Sequence, residues 1–282
     1  MRPQGLTTKI FVDSGDPNET RKALSHLGFL DGQTTNPTLI AKNPEAAGKD
    51  PIGFYRAVIE EIASIIPNGS ISIEVYADQK TTADKMLKQG REMFGWTPNA
   101  RIKFPTTSEG LKAANQAIKE GLRINMTLAF SQEQAAAVYA ATVGAKRGDV
   151  YVSPFIGRLD DRGENGMDLI ANIVKMYAVG DGHVELLTAS VRSVDHLLSA
   201  IALGSDIVSS PAEKVLKPWH EQGMPLPDAQ FRYERPDLKP IPYRDISLNK
   251  SWDSYNIAHD LTDTGLQKFA SDWNKLMGER TP

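Results

Sequence analysis

A lysine stands in the middle of a predicted β-strand, the segment 101–105 with the sequence RIKFP. A charged ammonium buried in a strand must be paired with a carboxylate, or its pKa must fall until the amine is neutral. A neutral buried amine is a nucleophile that forms a Schiff base with a carbonyl compound. Lys103 is therefore a candidate catalytic residue, with a purely structural salt bridge to Asp13 or Glu74 as the alternative.

The alternation of side chains along the predicted strands brings more polar groups to the side of Lys103. In each strand the apolar residues occupy one face and the polar residues the other. The interior predicted in this way contains Asp13, Glu74, Lys103, Asn125, Thr127, Ser153 and Ser190; Phe155 shares the face of Ser153, and Thr188 and Arg192 share that of Ser190. So many polar groups are costly as packing alone and are better explained as a ligand site. Taken singly, Asn36 is explained by a helix cap, and Arg158 and Arg192 by ordinary surface positions.

An interior amine, two carboxylates and several hydroxyl or amide groups suit carbonyl chemistry that passes through an imine. The amine attacks a ketone, a carboxylate and a water move protons as the imine forms, and the second carboxylate removes a hydroxyl proton to break a C–C bond. Arg158 and Arg192 lie at or just past the ends of the predicted sixth and seventh strands. Because loops after the seventh and eighth strands bind phosphate in many barrels, Arg192 is well placed for that role.

Eight strand patterns alternate with amphipathic helices along the chain. The predicted strands are 9–13, 31–35, 70–77, 101–105, 123–130, 149–155, 184–191 and 206–209, and the clearest helices between them are 50–66, 109–120, 132–144, 167–179 and 194–203. This order favours a (β/α)8 barrel, a TIM barrel, with an open doubly wound sheet as the alternative. Asn36 before Pro37 predicts a helix start, and the spacing of Thr106 and Glu109 predicts a capping box.

The barrel is predicted to occupy residues 1–220 as the catalytic domain, and residues 221–282 form a C-terminal extension. The extension begins with a proline-rich segment, 222–243, and ends with an amphipathic helix at 261–277. Of the four tryptophans, those at 252 and 273 lie in the extension and that at 219 lies just before it, which is more aromatic surface than a disordered tail carries. We expect the extension to pack on the barrel or on a second subunit of a homo-oligomer.

The composition excludes several classes of function. The chain has 282 residues, no cysteine and a formal charge of −3, so it has no basic field for nucleic acid or anionic membranes and no thiolate chemistry. No apolar run approaches the ~18 residues that span a bilayer, and the N-terminus lacks the apolar core of a signal peptide. The five histidines have no metal-ligand spacing. We therefore expect a cytoplasmic protein that uses no metal and binds neither nucleic acid nor membrane.

Five segments, in order, resemble motifs of the transaldolase family within the class I aldolases. They are 34–40 (TTNPTLI), 103–111 (KFPTTSEGL), 125–131 (NMTLAFS), 153–158 (SPFIGR) and 188–192 (TASVR). The segment 261–270 (LTDTGLQKFA) is similar to the C-terminal helix of the longer transaldolases. Five motifs in family order are far more specific than one short pattern.

The resemblance implies a role for each candidate residue. Lys103 would form the imine, Asp13 would be the acid/base at the C4 hydroxyl, and Glu74 with Thr127 would hold the proton-shuttling water. Asn36, Asn125 and Ser153 would hold a dihydroxyacetone unit, and Arg158, Ser190 and Arg192 would bind phosphate. The implied substrates are sugar phosphates, and no metal or organic cofactor is implied.

Two positions distinguish transfer from release of the three-carbon unit. The related fructose-6-phosphate aldolases carry a tyrosine at the position of Phe155 and a glutamine at that of Glu74, so this chain has the transaldolase residue at both. The sequence therefore predicts a transaldolase of the pentose phosphate pathway. The alternatives are a lyase like those aldolases and a non-catalytic sugar-phosphate-binding protein.

Overall fold

The computed structural model describes residues 1–228 and 230–278, and its centre is a closed barrel of eight parallel strands. The strands are β1 (Lys9–Asp13), β2 (Gly32–Thr34), β3 (Ser70–Glu74), β4 (Ala100–Pro105), β5 (Ile124–Ala129), β6 (Val150–Pro154), β7 (Val184–Thr188) and β8 (Ile207–Ser210). Pairing of β1 with β8 closes the sheet, from Lys9 opposite Ile207 to Val12 opposite Ser210. The predicted (β/α)8 barrel is confirmed, and the open sheet is excluded.

Helices follow the strands, and most of them cover the outside of the barrel. They are α1 (Pro17–Leu27), α2 (Pro37–Ala41), α3 (Pro51–Ile65), α4 (Ala83–Phe94), α5 (Ser108–Lys119), α6 (Gln132–Ala141), α7 (Ile156–Asp160), α8 (Gly166–Tyr177), α9 (Val194–Ala202), α10 (Lys217–Glu221) and α11 (Asp260–Gly278). Their apolar faces pack against strand residues such as Ile10, Ile73 and Ile102, which are fully buried. This layer holds the strands, and thus the side chains at their ends, in fixed positions.

Side-chain caps fix where most of these helices begin. The Asn36 side chain accepts a hydrogen bond from the Leu39 amide at 2.9 Å, as the Asn-Pro pair predicts. The predicted cap at Thr106 is wrong by one residue, because Thr107 caps α5 and the Thr106 hydroxyl donates to the Thr127 carbonyl. Glu109 does not reach back to its own helix start; its carboxylate accepts from the Ala83 amide and caps the neighbouring α4.

The floor of the barrel interior is filled by side chains and closes the cavity from below. Lys9 is paired with the buried Glu185 at 2.9 Å, and the Arg101 guanidinium lies 3.5 Å from the centre of the Tyr151 ring. Glu185 therefore faces inward, and the predicted inward face of the seventh strand is wrong. Thr188 faces outward instead, and its hydroxyl is 2.8 Å from that of Ser205.

The extension after α10 runs over the outside of the barrel and brings α11 to its C-terminal mouth. Asn172 of α8 donates to the Ile241 carbonyl, and Gln132 of α6 exchanges two hydrogen bonds with the backbone of Arg244. At the start of α11 the Thr262 hydroxyl donates to the Leu128 carbonyl, and near its end Asp272 accepts from Thr38 of α2. The helix thus crosses the mouth from β5 to α2.

Within the described residues, no helix combines the length and apolar character that crossing a membrane requires.

Candidate active site

A cavity of about 210 Å³ opens at the C-terminal mouth of the barrel, under α11. Seven of the eleven candidate residues line it: Asp13, Asn36, Lys103, Ser153, Phe155, Arg158 and Ser190. Glu74 and Asn125 are buried opposite Lys103 on the two neighbouring strands, and Thr127 is buried two residues after Asn125 on β5. Arg192 lies outside. The C-terminal end of the strands is where barrel enzymes bind and convert their substrates.

Lys103 is buried at this cavity and is paired with a carboxylate. The side chain of Lys103 is 3 % exposed; its Nζ lies 2.9 Å from Glu74 Oε2 and donates to the Thr35 carbonyl at 2.8 Å. The pair follows from the strand register, because Glu74 of β3 is directly opposite Lys103 of β4. Of the two partners considered for Lys103, Glu74 is the one it contacts. A direct contact with a carboxylate gives the ammonium a short route for losing its proton.

Burial raises the pKa of both carboxyl groups beside Lys103. Loss of solvation is the largest influence on Glu74, and the charge of Lys103 opposes it. The same balance raises the pKa of Asp13, whose carboxylate is surrounded by protein yet partly accessible through the cavity, and accepts from the Thr34 hydroxyl at 2.7 Å. Carboxyl groups with raised pKa values are suited to exchange protons near neutral pH.

Thr127 presents a polar atom with no partner inside the protein. Its Oγ1 is buried and makes no hydrogen bond to any of the described residues, while its carbonyl accepts from the Thr106 amide at 2.8 Å. Buried hydroxyl groups almost always have a partner, so this orphan marks a place for a water or a substrate atom. The next residue, Leu128, has a φ of 59°, a costly conformation for a branched side chain.

A buried polar chain runs from β3 to β6 beside Lys103. Ser153 donates to the Asn125 amide oxygen at 2.7 Å, and the Asn125 nitrogen donates to the Ser72 hydroxyl at 3.1 Å. Ser153 lines the cavity, so these bonds fix the orientation of its hydroxyl and of the Asn125 amide toward any bound ligand. The arrangement offers fixed hydrogen-bond partners for a small polyhydroxyl compound.

Arg158 is held over the cavity by two aromatic rings. Its guanidinium carbon lies 5.2 Å from the centre of the Phe155 ring and 5.4 Å from that of Phe269, which belongs to α11. Burial lowers the pKa of Arg158, which remains a cation at any physiological pH. Stacking on rings orients the planar fork of an arginine while leaving its N–H groups free to bind an anion.

Ser190 and Arg192 are placed differently, although they are two residues apart. Ser190 has a φ of 59°, and this turn after β7 carries it to the cavity despite the inverted strand face. Arg192 forms a two-pronged ion pair with Asp161, with one N–O distance of 2.6 Å, and its side chain is 46 % exposed. Arg192 is thus paired with a carboxylate and does not line the cavity, and its role in binding phosphate stays a prediction.

Other cavity residues escaped the sequence patterns. Thr34 and Thr38, Lys42, Lys268 and Phe269 all line it. The two threonines lie within the segment 34–40 that resembles a family motif, and this motif was a signal that they lie near the site. Lys42 had only its place after a short helix as a signal. Lys268 and Phe269 lie in the segment 261–270 that resembles a family helix, but their place at the cavity had no signal, because the position of α11 depends on tertiary packing.

Comparisons of the sequence with known families and relatives agree on one family. The family described as transaldolase/fructose-6-phosphate aldolase matches residues 10–280. A probable transaldolase of Clostridium perfringens is 37 % identical over 271 residues, which cover 96 % of this chain and all of the relative. Probable transaldolases of Brucella ovis, 38 % identical, and Dehalococcoides mccartyi, 33 % identical, each match over 95 % of this chain and over 97 % and 99 % of their own lengths. The chain belongs to the transaldolase/fructose-6-phosphate aldolase family.

Proposed function

We propose that the protein is a transaldolase that moves a dihydroxyacetone unit from a ketose phosphate to an aldose phosphate through a Schiff base on Lys103. The reaction would convert sedoheptulose 7-phosphate and glyceraldehyde 3-phosphate to erythrose 4-phosphate and fructose 6-phosphate, a step of the pentose phosphate pathway in the cytoplasm. The observation that carries the proposal is the buried amine of Lys103, 2.9 Å from Glu74 at a cavity that Asp13 also lines.

The first half of the reaction would load the three-carbon unit onto the enzyme. Lys103, after giving a proton to Glu74, attacks the C2 carbonyl of the ketose and forms a carbinolamine, which loses water to give the imine. A water held by Glu74 and the unpartnered hydroxyl of Thr127 would carry the protons. Asp13 then takes the proton of the C4 hydroxyl as the C3–C4 bond breaks and the aldose phosphate leaves; the electron pair of that bond stays with the three-carbon unit, which is bound to Lys103 as an enamine.

The second half runs the same steps in reverse with a new aldehyde. The enamine carbon attacks the acceptor, the new hydroxyl takes its proton from Asp13, and water releases the product ketose. Asn125, Ser153 and Asn36 would hold the three-carbon unit in place while the acceptor enters. Arg158, which is oriented by its aromatic neighbours, would bind the phosphate.

The second activity covered by the family, release of free dihydroxyacetone, is the alternative. Phe155 lines the cavity and has no hydroxyl with which to position water on the enamine, which supports transfer. Glu74, in place of a glutamine, supports it as well. A protein that only binds sugar phosphates would not need the buried amine, the carboxylate beside it and the second carboxylate in one cavity.

Borohydride trapping tests the Schiff base. With fructose 6-phosphate and borohydride, we expect the protein to gain the mass of the reduced three-carbon adduct at Lys103, as located by peptide mass spectrometry. Lys103→Met should gain none, while Lys112→Met, which alters an exposed lysine on α5, should react as the wild type does. Absence of an adduct at Lys103 in the wild type would remove the proposal.

Dependence on an acceptor separates transfer from release. Steady consumption of fructose 6-phosphate should require erythrose 4-phosphate, with sedoheptulose 7-phosphate as the product. Equally fast consumption without an acceptor, together with accumulation of free dihydroxyacetone, would identify a lyase instead.

A further inference from the structure

The charges around the cavity are not balanced by the protein. Four cationic side chains and one carboxylate line it: Lys42, Lys103, Arg158, Lys268 and Asp13. Lys103 is paired with Glu74, and Lys268 lies 3.1 Å from a carboxylate oxygen of Asp272. Across residues 1–228 and 230–278, neither Lys42 nor Arg158 has a carboxylate within salt-bridge distance. Two cations at this mouth are therefore available to an anionic ligand.

The arginine expected to share a phosphate with Arg158 is engaged elsewhere. Arg192 pairs with Asp161, and its hydrogen bonds lower the pKa of that carboxyl group, as expected of a close ion pair. Arg192 also lies outside the cavity. A phosphate dianion bound to Arg158 alone would be left with about one uncompensated charge.

Lys42 is in a position to supply the missing charge. It follows α2 directly, and its amide donates to the Thr38 carbonyl at 3.0 Å, which ends the helix in a defined turn. The same helix starts at Asn36, and its Thr38 hydroxyl is bonded to Asp272 of α11. The element that carries Lys42 is thus fixed at its start, at its end and against the helix that crosses the mouth.

We propose that Lys42 is a specificity-determining residue that binds the phosphate group of the sugar substrate together with Arg158. The inference rests on the proposed function, since it concerns the same cavity. At about 210 Å³ the cavity is small for a ligand site, so cations on its different walls can reach one phosphate. A lysine binds phosphate as a mobile point charge, which suits its exposed place at the rim.

Removal of the Lys42 charge should weaken binding of phosphorylated substrates and leave the chemistry intact. For Lys42→Met we expect KM for fructose 6-phosphate to rise about tenfold while kcat stays nearly unchanged. The rise in KM should be larger at low ionic strength than at high ionic strength, because salt screens the lost charge. Lys42→Arg should restore most of the loss. Lys268→Met should raise KM less, because Asp272 already balances the charge of Lys268. Lys275 is exposed on the same helix outside the cavity, so Lys275→Met should leave KM unchanged.

Two further measurements make the outcome decisive. Borohydride trapping of free dihydroxyacetone on Lys103 involves no phosphate. The yield of adduct should be equal in Lys42→Met and wild type, which would show that the variant is folded. Calorimetry measures the binding of inorganic phosphate, which should be weaker in Lys42→Met whether or not the protein is a transaldolase. This measurement therefore tests Lys42 even if the proposed function is wrong. Unchanged KM and unchanged phosphate binding in Lys42→Met would overturn the role of Lys42, as would equal losses in Lys275→Met.

Discussion

At the scale of single residues, strand alternation predicted much of the candidate site. Asp13, Lys103 and Ser153 line one cavity as the alternation of their strands predicts, because a side chain in a regular strand has only two directions. The same argument failed for β7, where Glu185 is inward and a residue with positive φ, Ser190, returns the chain to the cavity. A local backbone turn of this kind leaves no mark in the hydrophobic pattern.

Substitution of Phe155 should change the ratio between transfer and release of the three-carbon unit. In Phe155→Tyr, a hydroxyl at the cavity wall would orient water toward the enamine, so release of dihydroxyacetone relative to transfer should rise on the order of tenfold. Both products are measured in one reaction with fructose 6-phosphate and erythrose 4-phosphate. Phe155→Leu is the control, since it removes the ring and adds no hydroxyl; an equal rise in that variant would attribute the effect to loosened packing.

At the scale of elements, the positions of the strands were predictable and the place of α11 was not. The predicted first strand has the observed bounds, and most of the others end within a few residues of theirs, because period-two patterns and helix starts mark them. The pattern of α11 shows an apolar face, with Leu266, Phe269 and Trp273 buried, and is silent on the surface that buries it. Its bonds to Leu128 and Thr38 depend on where the barrel places those residues.

Gly265 is the close-contact point between α11 and the cavity. A methyl group at this position would lie 2.6 Å from Arg158 Nη1 and 2.7 Å from a methyl carbon of Leu128. Glycine to alanine inside a helix usually stabilises by about 1 kcal/mol, but in Gly265→Ala the displaced Arg158 and Leu128 should cancel that gain. We expect KM for fructose 6-phosphate to rise about tenfold as Arg158 moves.

Ser271→Ala, at an exposed position of the same helix, is the matched control and should leave KM unchanged. Urea unfolding and steady-state kinetics of both variants provide the measurements. A Gly265→Ala protein with unaltered KM and a higher free energy of unfolding would show that the contact with Arg158 has room for a methyl group.

At the scale of the whole molecule, the candidate site reduces the stability of the fold at neutral pH. Burial raises the pKa of Asp13 above that of the unfolded chain, so the folded state binds its proton more tightly. The free energy of unfolding therefore falls as pH rises from the unfolded pKa through the folded one. The ionised carboxylate that the proposed chemistry requires at Asp13 is the less stable form of this fold.

Asp13→Asn should consequently be inactive and more stable than the wild type at neutral pH. We expect a gain of roughly 1 kcal/mol in the free energy of unfolding at neutral pH that disappears toward about pH 3, below the unfolded pKa of an aspartate, where the wild-type carboxyl is protonated in both states. Urea titrations at both pH values measure it. Asp161→Asn should show the opposite sign, because Arg192 lowers the pKa of Asp161 in the folded protein; a loss of stability in Asp13→Asn at neutral pH would refute the argument.

The path of α11 determines when, during synthesis, the cavity is complete. Thr38 and Asp272, which tie α2 to this helix, are 234 positions apart in the chain. During synthesis the eight strands and Lys103 leave the ribosome well before Lys268 and Phe269, so a nascent barrel has its amine in place while one wall of its cavity is still being translated. The cavity is therefore complete only when nearly all of the chain has been made.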